Sequence, residues 1–270
     1  MLSRLIRLVS WFERFLVAAR NLGTISAFRL LVIARLRVFP KGSSIPIRAL
    51  HRTFYYRGAC DLGVMSHFFS PGYRVRDFPG VPVQYIIDAG ANIGDETVRF
   101  RHFHKEALII ALEPEPDNFR MLCLNVSKDP RIFPLQTGLW PRDGRLRIQP
   151  GTTNESFRVE EVSGAPCDND VQAISIPSLI NKFGIPHIDI LKLDIEGAEY
   201  YVFDETCKDW VSKVKVFIFE CPDNDHPGAA FRIFGAIGGH PFKCFLQGEN
   251  IVLIRQDVPW LLETTLFLDD

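Results

Sequence analysis

Asp88-Ala89-Gly90-Ala91-Asn92-Ile93-Gly94 decides the fold. It closes an apolar run over 84–89 (QYIIDA) and opens a helical pattern over 95–103. A strand passing into a helix through a glycine-bearing turn begins a βαβ unit. Downstream the alternation continues. A strand over 107–112 (ALIIAL) precedes a helix over 116–127, with Phe119, Leu122, Cys123 and Val126 on one face, and a third strand follows over 132–139. Residues 141–170 are polar and turn-rich and read as an insertion carrying a hairpin. Then come a short strand (173–176), a helix opening at Pro177, a strand over 188–193 (IDILKL), a helix from Ala198, a strand over 214–219 (VKVFIF) and a helix over 228–237. A hairpin of 242–246 with 251–255 ends the series. The strands are nearly continuous in apolar residues, so both faces are buried. The pattern predicts an α/β, Rossmann-like fold: a mostly parallel seven-stranded sheet, helices on both faces, and an antiparallel last strand. Ligands of such sheets bind at the carboxyl ends of the strands.

The first turn differs from the dinucleotide fingerprint. Asp88 stands where the first glycine of G-x-G-x-x-G belongs, and Gly90 and Gly94 are four apart. A pyrophosphate wants backbone N–H groups and a helix N-terminus, not a nearby carboxylate. S-adenosylmethionine brings an ammonium and a sulfonium instead. An acid at the turn suits the ammonium, directly or through water. The second strand ends in Glu113, 25 residues after Asp88, where an acid accepts hydrogen bonds from two ribose hydroxyls.

These residues carry a family resemblance. DAGANIG (88–94), ALEPEPDNF (111–119), LKLDIEGAE (191–199) and the strand end FE (219–220) resemble the FkbM-type methyltransferases. RGACD (57–61), Trp140 with Arg142-Asp143-Gly144, and 157–161 extend the similarity from about Ile45 to Arg255. The resemblance implies a class I methyltransferase fold and O-methylation of a hydroxyl on a sugar, polyketide or other small molecule. It implies a cofactor set of Asp88, Gly90, Asn92, Gly94, Glu113, Asn118 and Thr137, with Asn118 positioning the adenosine end and Thr137 near the adenine. One departure concerns the acceptor side. Relatives are expected to carry a His soon after the acid ending the fifth core strand. Here Glu220 is followed by Cys221-Pro222-Asp223, and His226 comes later.

Lys192, Asp194, Glu196 and Glu199 crowd the end of the 188–193 strand, and Glu220 ends the next one. If those strands are neighbours, about 4.8 Å apart, Asp194 and Glu220 open into one cleft. A hydroxyl nucleophile must lose its proton. Asp194 is the first candidate for general base and His226 the reserve. Alternatively Asp194, Glu196 and Glu220 gather Mg²⁺ to acidify the hydroxyl. Glu199 also has a structural explanation, as an acid favoured at a helix N-terminus.

Domain organisation follows composition. Residues 84–256 form the methyltransferase-like domain, 42–83 a pre-core segment and possible substrate cap, and 257–270 a tail. Residues 1–41 hold eight Lys/Arg and one acid, a charge of +7, which leaves −8 for the rest. Their spacing predicts a basic amphipathic helix, lying either on an anionic membrane surface or on its own domain. No uninterrupted apolar stretch of ~18–20 residues exists for a span. The net charge of −1 gives no global case for nucleic acid. Six cysteines without a C-x-x-C pair exclude a zinc ribbon and point to a reducing, cytoplasmic setting. Two other classes stay open: a NAD(P)-dependent oxidoreductase, and an inactive methyltransferase-fold protein acting at a membrane surface.

Overall fold

Neighbouring residues along the central strands feed two separate cores. Ile86, Ile109, Ile190 and Val216 enter one cluster, and Ile87, Ile110, Leu191 and Phe217 the other, all fully buried. Each such side chain contributes roughly 1.5–3 kcal/mol of burial. Period-2 strands with both faces apolar therefore dictate a sheet sandwiched between helices. The computed structural model describes residues 19, 24, 25, 28, 45–50, 52–57, 61, 75, 76, 80–150, 157–162, 165 and 167–262.

A hairpin of β1 (Ile45–Ala49) and β2 (Arg52–Tyr56) comes first, then the short β3 (Val75–Arg76). The main body runs β4 (Tyr85–Ala89), α1 (Asp95–Phe103), β5 (Leu108–Leu112), α2 (Pro116–Val126) and β6 (Ile132–Leu135). After β7 (Thr137–Leu139), β8 (Gly144–Pro150), β9 (Phe157–Glu161) and β10 (Asp170–Ile174) come α3 (Ile176–Phe183), β11 (Ile188–Leu193), the single turn α4 (Glu199–Val202), β12 (Val214–Glu220) and α5 (Ala229–Ile237). The chain then adds β13 (Phe242–Gln247), β14 (Asn250–Arg255) and β15 (Leu261–Leu262).

Seven strands form the main sheet in the order β13-β14-β12-β11-β4-β5-β6. Only β14 is reversed, antiparallel to both β12 and β13. The fold is thus α/β and Rossmann-like, with the order reversing between β4 and β11. That switch point opens a crevice beyond the carboxyl ends of those strands. Local chemistry fixes the helices around it. Glu115 caps α2 by accepting from the Asn118 N–H at 2.6 Å, with Pro116 opening the helix. Ser175 caps α3, which stops at Gly184 in the left-handed region.

One expectation changes. The predicted strand over 132–139 is two strands. It breaks at Gln136; β6 stays at the edge of the main sheet, while β7 joins a second sheet, β7-β10-β8-β9, with β8 and β9 from the 141–170 insertion and β10 covering the start of the strand expected over 173–176. Residues 257–262 are the described part of the expected tail. Trp260 is fully buried and donates to the Val81 carbonyl at 2.7 Å, and β15 pairs with β3. In the described part of 42–83, β2 packs on α2, where the Asn125 amide bonds both the N–H and the carbonyl of Tyr55. The predicted basic helix over 1–41 lies almost wholly outside the described residues. Among the described residues, no helix is long and apolar enough to cross a membrane.

Candidate functional site

A cleft of about 450 Å³ sits over the switch point. Its floor is the turn after β4. Gly90 (φ +75°) has its position dictated by β11, because a Cβ there would lie 1.7 Å from the Asp194 carbonyl oxygen. Gly94 lets α1 approach α2, since its Cβ would meet Leu122 at 2.9 Å. Asn92 takes a left-handed conformation (φ 49°) and donates its N–H to Glu113 Oε2 at 2.8 Å. The Glu115 N–H donates to Oε1 at 2.9 Å. Glu113 therefore lines the cleft as a carboxylate aimed by two backbone amides. Burial outweighs these bonds and pushes its pKa up to about 7.

Asp88 does not reach the cleft. β4 runs one residue past it, so its side chain enters the sheet face rather than the sheet's top. It is fully buried, accepts from Thr97 Oγ1 and faces Lys192, its register partner on β11, at 3.5 Å. The expected contact between Asp88 and a cofactor ammonium is corrected on this ground. Lys192 also lies 3.2 Å from Asp194 and 3.4 Å from the Gly90 carbonyl. One ammonium thus ties the two central strand ends together beneath the turn.

Asn118 and Thr137 both line the cleft. The Thr137 hydroxyl is already committed, donating to the Gln172 carbonyl at 2.7 Å. On the other side, Asp194 and Glu220 follow register neighbours on β11 and β12 and share the cleft with Glu196. Glu220 is raised to about 8, first by burial and then by the Asp194 and Glu249 carboxylates beside it. Glu249 comes from the tip of the β13–β14 hairpin, and no sequence motif marks it. Glu196 holds a left-handed conformation (φ 54°). Glu199 lies behind the cleft, where its two oxygens accept from the Ile195 and Gly197 N–H groups and brace the loop.

His226 is not in the cleft wall. Its ring stacks on Tyr200 (4.9 Å, 13°) and meets Tyr201 edge-on, because Asp223 folds the intervening turn against the start of α5. Asp194, Glu196 and Glu220 line one cleft but do not converge on a single point. Among the described residues no three His, Cys, Asp or Glu side chains converge as a set of metal ligands, and Asp194 is paired with Lys192, so the Mg²⁺ alternative has no support in the structure.

The family model for the Methyltransferase FkbM domain matches residues 88–237. Methyltransferase sdnD of Sordaria araneosa is 27% identical over 163 residues, 48% of this chain and 62% of that protein. Hexuronic acid methyltransferase AglP of Haloferax volcanii is 28% identical over 118 residues, 43% of this chain and 46% of that protein. The chain thus spans less than two thirds of the length of either curated relative. Among solved structures, M. jannaschii TYW2 in complex with AdoMet aligns with 81% of this chain and 89% of its own, at 10% identity and a TM-score of 0.41, a likeness that carries no argument. The matched segment, from the β4 turn to the end of α5, includes Glu113, Asp194 and Glu220, and on that match the chain belongs to the FkbM methyltransferase domain family.

Proposed function

We propose that this chain is a methyltransferase that binds S-adenosylmethionine in the cleft and methylates a hydroxyl oxygen of a small molecule. One observation carries the reading. Among the described residues lining the cleft, seven are Asp or Glu and the single cation is Lys192. Two of the acids, Asp95 and Glu96, occupy the first turn of α1, where a pyrophosphate would need open N–H groups. That charge disfavours a dinucleotide and suits a ligand carrying a sulfonium and an ammonium. Asp95 and Glu96, not Asp88, are thus the acids that the first turn presents to the cleft. Family membership supports the same reading.

Bound S-adenosylmethionine supplies an electrophilic methyl group. The chain's own residues divide the remaining work. Glu113 accepts the ribose hydroxyls. The Gly90 turn lets the ligand lie against backbone. Glu220 takes the acceptor's proton as the O–C bond forms and the S–C bond breaks. It replaces Asp194 as the base, because Asp194 is held by Lys192 while Glu220 is poised near neutrality. Holding donor and acceptor in line is the larger contribution, ~7–11 kcal/mol.

Calorimetry tests the cofactor reading. S-adenosylhomocysteine is expected to bind one to one. Its affinity should rise about tenfold per pH unit below 7 and level off above, because the ionised Glu113 is the form that accepts the ribose hydroxyls and its pKa when empty is about 7. Binding of NADH with none of S-adenosylhomocysteine would move the chain to the oxidoreductase class.

The chemical step has its own signature. With a hydroxylated acceptor and labelled S-adenosylmethionine, kcat is expected to climb with pH to a plateau above about 8, as Glu220 ionises. Glu220→Gln should lower kcat by about 10²–10⁴ and erase that limb. A variant of undiminished kcat would remove Glu220 from the chemistry.

A further inference from the structure

We infer that Glu249, at the tip of the β13–β14 hairpin, is a specificity-determining residue that makes the cleft select a hydroxyl acceptor carrying an ammonium group, such as an amino sugar or an amino alcohol, over a carboxylated one. This rests on the proposed methyl-transfer reading and names the charge class of its acceptor.

What points to a ligand here is independent of the acids: a cleft of about 450 Å³ at the sheet's switch point, within the matched methyltransferase domain. The acids decide the ligand's charge. Seven Asp or Glu and a single lysine line the cleft among the described residues. S-adenosylmethionine sets a sulfonium and an ammonium against one carboxylate. Its single net positive charge leaves most of the acids unmatched. Three of them follow β4 and β5 on the donor side. Asp194, Glu196, Glu220 and Glu249 stand at the ends of β11 and β12 and at the hairpin tip. A second positive charge therefore belongs on the acceptor.

The sheet fixes the place of Glu249. Glu220 pairs with Asn250 across β12 and β14, and Gln247 pairs with Asn250 across the hairpin. Gly248, in the left-handed region at φ +63°, turns the two-residue tip, so Glu249 immediately precedes the register partner of Glu220. Two carboxylates on adjoining strand ends thus share one wall of the cleft, and a cation between them relieves their repulsion. Groups that would receive an anion at this end are committed. Lys192, the one cation in the lining, is buried and taken by Asp88 and Asp194. The Ile195 and Gly197 N–H groups of the loop after β11 both donate to Glu199. An ammonium suits the chemistry as well. Protonated, it has no lone pair and serves as a handle, not as the nucleophile. Beside Glu220, which burial and then the Asp194 and Glu249 carboxylates raise to about 8, it favours the ionised form that takes the hydroxyl proton.

The experiment is a ligand-observed NMR titration of the full chain, saturated with S-adenosylhomocysteine, with three matched probes: the methyl glycosides of glucosamine, glucose and glucuronic acid. The expected result is that the glucosamine glycoside binds about tenfold more tightly than the glucoside, and the glucuronide not measurably. Glu249→Gln should erase most of the amine's advantage. Glu249→Lys should admit the glucuronide in its place. Both variants should keep the Kd of S-adenosylhomocysteine, which lodges at the other side of the cleft. Glu249 is exposed, so both are expected to fold, as a thermal melt checks. Glu205→Lys reverses the charge of an exposed acid outside the cleft lining and should leave the order of the probes unchanged, which separates a local effect from net charge. Equal affinities for the three probes, binding of none, or equal effects of Glu205→Lys and Glu249→Lys would overturn the inference, and bound S-adenosylhomocysteine would leave the cofactor reading standing. An unaltered chain that binds no S-adenosylhomocysteine would overturn both.

Discussion

Replacing Gly90 by alanine is expected to abolish measurable S-adenosylhomocysteine binding and to destabilise the fold by about 3 kcal/mol or more. Two costs combine. The residue has φ +75°, a region that side chains other than glycine enter only at a cost of roughly 1–2 kcal/mol. The added Cβ would also sit 1.7 Å from the Asp194 carbonyl oxygen, a backbone atom that cannot rotate away. β11 and the β4 turn must then part, and the floor of the cleft parts with them. Urea unfolding and calorimetry check both effects. Gly239→Ala is the control: nothing lies within 4 Å of its Cβ position, so a change within about 0.5 kcal/mol is expected. Equal behaviour of the two variants would show that the close approach at Gly90 is not as described.

Lys192→Met should cost about 3–5 kcal/mol of stability near neutral pH. Lys192 is the counter-ion of the fully buried Asp88, whose pKa burial already raises. Deprived of the ammonium, that carboxyl binds its proton more tightly when folded than when unfolded. The penalty is therefore absent below about pH 4 and grows as pH rises towards the folded pKa. Adding Asp88→Asn to Lys192→Met should restore most of the loss, because no charge is then stranded. Urea titrations at pH 5 and pH 8 distinguish this from simple loss of packing, which would cost the same at both. Asp194 is half exposed and can turn to water, so its release should contribute little.

Strand and helix identities were legible because hydrophobic period and buried length coincide in this sheet. The runs YIIDA, LIIAL and IDILKL read as strands from composition alone. Direction was harder to read. Asp88 and Glu113 look equivalent in sequence, yet Asp88 lies within β4 and Glu113 one residue beyond β5. Asp88 pairs with Ala111, so Glu113 stands two register positions further on, past the sheet's end instead of within it. The break at Gln136 was hidden because Thr137–Leu139 is as strand-like as what precedes it; only its change of partner, from β5 to β10, separates the two. His226 was misplaced because spacing along a turn says nothing of where the ring points. Glu249 was missed as a cleft group because an approach from a hairpin tip leaves no local pattern.

The single reversed strand, β14, brings the Gly248-Glu249 tip back beside the end of β12, opposite Glu220's register partner Asn250. On the proposed reading, the donor's lodging is at the other side of the switch point, in the turns after β4 and β5, and the acceptor's beside the hairpin tip. Insertion or replacement at a two-residue tip disturbs neither turn. Natural variation there could change which alcohols are admitted while the methyl source stays constant, so divergence in chemistry within such a lineage need not be accompanied by any drift in the nucleoside grip.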